Sequence, residues 1–68
     1  MKLFYAKGEP LSDAMAAYMP SEVELIDVVA NPLEAEKNSV VAVPMLVRGD
    51  GAIKIGLMDE LEFYEWMK

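Results

Sequence analysis

No cysteine and no histidine stand anywhere in this 68-residue chain, and at that length their absence limits the choice of fold more than any other feature. A domain of this size buries only roughly 60% of the surface its unfolded chain exposes. Small folds therefore usually lean on disulfides, a structural metal or a partner. Composition removes disulfides, thiol exchange, Cys/His zinc sites and histidine-based nucleophilic triads together. Packing alone must hold the chain. Hydrophobic residues make up 54% of it, which predicts one folded domain over residues 1–68 rather than disorder. Neither a metal nor a cofactor is expected.

Six basic residues face twelve acidic ones, a net charge of −6. That balance opposes nucleic acid and anionic lipid, because phosphate contacts need clustered Lys and Arg. A partner with a basic surface is favoured instead. The longest unbroken apolar run, Val40 to Val47, contains Pro44 and is less than half of the about 20 residues a membrane-spanning helix needs. Near the start, Leu3-Phe4-Tyr5-Ala6 lies between Lys2 and Lys7-Gly8, too short for the apolar core of a signal peptide. The expectation is a soluble cytoplasmic protein.

Periodicity and turn chemistry divide the chain into seven elements. Lys2 to Ala6 is rich in β-formers and stops at Lys7-Gly8, which predicts a buried strand. Glu9 flanks a helix opened by Pro10, a residue tolerated where a first helical N–H is unpaired anyway. That helix continues from Leu11 to Tyr18, with Leu11, Met15 and Tyr18 or Met19 on one face. Pro20-Ser21 ends it. Val23 to Val29 reads as the second strand, with Glu22, Glu24 and Asp27 polar. Asn31-Pro32 predicts an N-cap and a short helix from Leu33 to Lys37, closed by Asn38-Ser39. Val40 to Val43 leads into Pro44, and Met45-Leu46-Val47 makes the third strand. Gly49-Asp50-Gly51 signals a tight turn into a fourth, antiparallel strand from Ala52 to Ile55. After Gly56 a last helix runs from about Met58 to Met67, with Leu57, Leu61, Tyr64 and Met67 predicted to face inward. Lys68 at its end suits the helix dipole. Phe63, Trp66 and the six methionines are expected to fill the core. The order is βαβαββα: a parallel βαβ pair with a right-handed crossover, then an antiparallel hairpin, in a four-stranded mixed sheet flanked by helices.

That order, with a proline opening the third strand, resembles the thioredoxin fold, and three stretches are similar to glutaredoxins in particular. Phe4-Tyr5-Ala6-Lys7-Gly8-Glu9-Pro10-Leu11-Ser12 looks like the loop that carries the family's Cys-Pro-x-Cys motif, with Glu9 and Ser12 at the cysteine positions. Asn31 to Lys37, followed by Val41-Ala42-Val43-Pro44-Met45-Leu46-Val47, is similar to the stretch that ends in a cis-proline. Ile55-Gly56-Leu57-Met58-Asp59-Glu60-Leu61 looks like the Gly-Gly-x-Asp-Asp-Leu turn into the final helix. Together they cover nearly the whole chain. The departures are specific. Both cysteines are gone, Lys7 lies one position too close to the first of them, Leu57 replaces the second glycine of the late turn, and the middle helix is truncated.

The family's first cysteine is a thiolate stabilised at a helix N-terminus, and it attacks disulfides. A carboxylate or a serine hydroxyl cannot do this, so the chain is expected not to be a dithiol oxidoreductase. Glu9 keeps an anion at the helix start, where it and Asp13 complement the dipole. Ser12 is suited to a local backbone hydrogen bond; as a nucleophile it would have only Lys7 nearby. The resemblance implies that Val43-Pro44 is cis and that the Val43 backbone borders the loop, where family members pair with glutathione or a substrate peptide by strand addition. It also implies that Met58 and Asp59 mark the turn that holds the γ-glutamyl end of glutathione. By chemistry alone Asp59 reads as a helix N-cap.

The resulting expectation is a redox-inactive, glutaredoxin-like module that binds a protein through the Glu9–Ser12 loop, the Val43-Pro44 edge and the acidic last helix. Lys7, Glu9, Ser12, Val43, Pro44, Met58 and Asp59 are the candidate contact residues. The alternatives are non-catalytic binding of glutathione or a related thiol peptide, and a cysteine-substituted form of a glutaredoxin-type disulfide reductase. Glutathione is itself an anion and would meet Glu9 and Asp59, with Lys7 as the local cation. Arg48-Gly49-Asp50 also spells a cell-adhesion tripeptide, but turn chemistry accounts for its glycines. Glu60, Glu62 and Glu65 read as a solvated face or as a docking surface for a basic partner.

Overall fold

The computed structural model describes residues 1–67; the role given to Lys68 lies outside the described residues. Seven elements follow in the order expected: β1 (Lys2–Tyr5), α1 (Pro10–Tyr18), β2 (Glu24–Asp27), α2 (Pro32–Lys37), β3 (Met45–Val47), β4 (Ile53–Ile55) and α3 (Glu60–Met67). The strands form one sheet in the order β2-β1-β3-β4. β1 and β2 are parallel, with Leu3 opposite Leu25. β1 and β3 are antiparallel, with Leu3 opposite Leu46, and so are β3 and β4, with Met45 opposite Ile55. The protein is thus a small α/β domain with a mixed sheet and three helices. Among the described residues no helix is long and apolar enough to cross a membrane.

Alternation along β1 and β3 sends neighbouring side chains to opposite faces, and each face has its own core. On one, Leu3 and Leu46 meet Met15 of α1 and Phe63 of α3, with Val23 and Met58. On the other, Phe4, Ile26 and Met45 are covered by Val28, Val40 and Val47. Met15, Met45 and Met58 are buried, and Met1, Met19 and Met67 pack against the first cluster. The second face is thinly roofed. α2 is six residues long and buries none of them, and Ile53 and Ile55 of β4 stay about half exposed. Lys2 reaches Glu34 of α2 at 3.4 Å, with both side chains 37% exposed, a tie of small energetic consequence.

Several expectations are corrected. Leu57, Leu61 and Tyr64 do not face inward; they are 49%, 72% and 52% exposed. The side chains of α3 that turn to the sheet are Phe63, fully buried, and Trp66 and Met67, half-buried at i+3 and i+4. Leu11 is likewise exposed, because α1 faces the core through Ser12 and Met15. β2 stops at Asp27 rather than Val29: the Asp27 carboxylate accepts the Val29 N–H at 3.0 Å and turns the chain out of the ladder. Asn31 precedes α2, but its side chain makes no cap. Its amide donates back to the Asp27 carbonyl at 3.1 Å.

Candidate functional site

Register brings four connections to one end of the sheet, since β2 leaves there beside β1; the other three carry the predicted residues. β1 leaves there into the turn before α1. β3 enters there, so the position after Phe4, opposite Met45, faces Pro44. β4 leaves there as well, and the Gly56 N–H donates to the Pro44 carbonyl at 2.9 Å. The sequence-predicted residues Lys7, Glu9, Ser12, Val43, Pro44, Met58 and Asp59 all belong to these connections or to the first turn of α1.

The β1–α1 turn is closed by its own groups. Glu9 N–H donates to the Ala6 carbonyl at 3.0 Å, and Gly8 sits at φ +95°, a conformation that a side chain disfavours. The Glu9 carboxylate is the N-cap of α1. It accepts the Ser12 N–H at 2.7 Å and the Leu11 N–H at 3.2 Å. The Ser12 backbone bond, helped by that from Leu11, holds the Glu9 carboxyl below its ordinary value despite partial desolvation. Asp13 accepts the Gly8 N–H at 2.8 Å. Ser12 is fully buried: its hydroxyl donates to the Ala6 carbonyl at 3.0 Å and accepts the Ala6 N–H at 3.1 Å. Glu9 and Asp13 thus spend their carboxylates on separate backbone donors, and Ser12 has no face toward solvent. The Lys7 side chain is exposed, while its N–H points to Asp27 Oδ1 at 3.4 Å.

On the facing connection the Val43-Pro44 bond is cis. Pro44 is buried and Val43 is half-buried. Among the described residues nothing hydrogen-bonds the Val43 N–H or carbonyl, and Val41 beside it is 82% exposed. In the third connection Met58 is buried, at 1% exposure, and lends the site its backbone but not its side chain. Asp59 caps α3. Its carboxylate accepts the Glu62 N–H at 2.8 Å, and Glu62 returns the contact to the Asp59 N–H at 3.3 Å, a reciprocal capping box.

At the opposite end of the sheet lies a cluster that motif reading missed. Arg48 grips Asp50 through Nε at 3.0 Å and a terminal nitrogen at 2.9 Å. Its other terminal nitrogen donates to the Trp66 carbonyl at 2.6 Å, and the guanidinium lies 4.8 Å from the centre of the Trp66 ring. Arg48 therefore caps the carbonyl end of α3 and stacks on its tryptophan. The charges of the Arg48-Gly49-Asp50 tripeptide are spent on each other. Hydrogen bonds from Arg48 pull the Asp50 carboxyl down to about 2. A carboxyl lowered by folding supports the fold above its unfolded value and loses that support as pH falls through the folded one. Thermal melts are expected to show stability declining between about pH 4 and pH 2, with Asp50→Asn flattening part of that decline; identical pH profiles for the two proteins would contradict the assignment.

Compared with protein-family models, curated proteins and solved structures, the chain gives no match in any of the three.

Proposed function

We propose that this chain is a redox-inactive, glutaredoxin-like domain of thioredoxin type, and that it binds an extended segment of another protein at the sheet end where Lys7, Gly8 and Val43 are accessible. The observation that carries the reading is the unengaged Val43 backbone beside the β1–α1 turn. A free N–H and carbonyl flanked by apolar side chains is what strand addition requires. Further support comes from the βαβαββα order and the cis bond before Pro44, both of which the glutaredoxin resemblance implies.

The chemistry at the cysteine positions argues for recognition without catalysis. Thiol–disulfide exchange needs a sulfur nucleophile, and the chain has no cysteine. The helix N–H groups that would stabilise a thiolate are taken by Glu9, and the Glu62 N–H is taken by Asp59. An anion such as glutathione therefore finds donors already engaged and carboxylates in their place. A peptide with neutral or basic side chains meets no such conflict.

The test is capture by immobilised protein at about 0.15 M salt, with Val43→Asp and Leu33→Asp compared in parallel. Leu33 is 79% exposed on α2 and belongs to none of the connections that carry the predicted residues. A partner retained by the wild type and by Leu33→Asp, but reduced about tenfold or more by Val43→Asp, is the expected result. Capture that ignores Val43→Asp, or no capture, overturns the reading. Amide shifts at Lys7, Val43 and Asp59 on titration with reduced glutathione would give the site to that ligand instead.

A further inference from the structure

Helix α3 turns an apolar ridge to solvent. Leu61 and Tyr64 are 72% and 52% exposed, and their spacing of three sets them on one side of the helix; Leu57, 49% exposed, lies in the connection just ahead of it. Leu61 lies two positions from the buried Phe63, on the far side of α3 from the sheet. A hollow of about 330 Å³ borders the ridge, lined by the Lys54 stem, Met58, Leu61 and Trp66 with Glu62 and Glu65 on its rim. On the other side Tyr64 lines a second, mostly apolar hollow of about 220 Å³ with Met1, Val23 and Met67. The charged residues within α3, Glu60, Glu62 and Glu65, are all acidic, and Asp59 precedes them.

We propose that this ridge docks a cationic amphipathic helix of a partner protein. Its apolar side chains lie along Leu57, Leu61 and Tyr64, and its Lys or Arg residues reach Glu60 and Glu62. Charge selects this occupant. A second copy would bring another net −6 against the same carboxylates, and anionic lipid or nucleic acid would be repelled. A docked amphipathic helix presents its apolar anchors at i, i+3 or i+4 and i+7, and the two hollows flanking Leu61 and Tyr64 offer places for them. The proposal deepens the protein-binding reading by naming a partner chemistry. It uses a surface other than the Val43 edge, so either can fail without the other.

The probe is a synthetic helical peptide of leucine and lysine, with its leucine–glutamate counterpart as control. Trp66, the single tryptophan, lines the first hollow and reports binding by fluorescence. The leucine–lysine peptide is expected to bind with a Kd on the order of 10 μM at about 0.15 M salt. A Leu61→Ser/Tyr64→Ser double variant, unchanged in charge and altered only at exposed positions, should bind about tenfold more weakly or worse while keeping its circular dichroism. Val43→Asp should bind as the wild type does. Equal binding by the double variant, equal binding of the leucine–glutamate peptide, or no saturation below about 1 mM overturns the proposal. So does a dimer of the protein alone, in sedimentation, that dissociates on Leu61→Ser.

Discussion

Phe63→Ala is expected to unfold the domain at room temperature, while Tyr64→Ala, one residue on, leaves it folded. Phe63 is 2% exposed and packs with Leu3, Met15, Leu46 and Met58. Truncating a buried phenylalanine costs about 3–5 kcal/mol in lost transfer energy and cavity formation. A chain of this length has a total stability of roughly 3–10 kcal/mol, and this one, without cysteine, has no disulfide in reserve. Phe63 is also the one fully buried side chain of α3, so its loss removes the anchor of the whole helix. Tyr64 is 52% exposed; it touches the Phe63 ring edge-on at 5.3 Å, a contact worth about 0.5–1.5 kcal/mol. Far-UV circular dichroism with a urea titration measures both variants. A cooperative Phe63→Ala transition within about 1 kcal/mol of wild type would show that α3 does not dock through this residue.

That pair of variants also marks where the sequence was and was not legible. The elements were plain because each is bounded by residues with one strong conformational preference. Pro10 and Pro32 open helices, Gly8, Gly51 and Gly56 take positive φ, and β-formers fill the strands between them. The face of α3 was not plain. Leu57, Leu61 and Tyr64 repeat at helical spacing as well as Phe63, Trp66 and Met67 do, and periodicity alone cannot say which of two apolar stripes meets the sheet. The start of the helix decides. Asp59 caps it, Met58 tucks under the sheet ahead of the cap, and the phase set there puts Phe63 inside. Strand β2 ended early for a related reason: Val28 and Val29 are β-formers, but the Asp27 side chain captures the Val29 N–H, and local hydrogen bonding of this kind outweighs propensity.

The site was legible in outline through chemistry rather than periodicity. Glu9 and Asp59 occupy cap positions where carboxylates are favoured, and both act as caps. What residue types could not reveal is which groups the fold has already used. Ser12 reads as a local backbone hydrogen-bonder and as a contact residue; it makes the bonds, yet it is sealed from any partner. Arg48 reads as a turn residue, yet it reaches a carbonyl 18 positions away. Both depend on contacts between segments far apart in sequence or folded back on themselves, which no local pattern encodes.

Ser12→Ala should destabilise the domain by about 1–3 kcal/mol although it removes a single oxygen. That oxygen accepts the Ala6 N–H and donates to the Ala6 carbonyl, joining the end of β1 to the first turn of α1. Alanine has the right size and good helix propensity, so neither packing nor helix formation accounts for a loss. The cost arises because the Ala6 N–H is left without its partner where water has poor access. Ser12→Thr keeps the hydroxyl but adds a methyl at a fully buried position, and is expected to lose stability through crowding instead. Hydrogen exchange separates the two mechanisms. Ser12→Ala should speed exchange at the Ala6 amide well beyond the global change, whereas Ser12→Thr should speed all amides together. An Ala6 amide in Ser12→Ala that exchanges no faster than its neighbours would mean that the hydroxyl does not hold the turn. The conformation of Lys7 and Gly8, and with it the shape of the proposed contact surface, would then have to come from Glu9 and Asp13 alone.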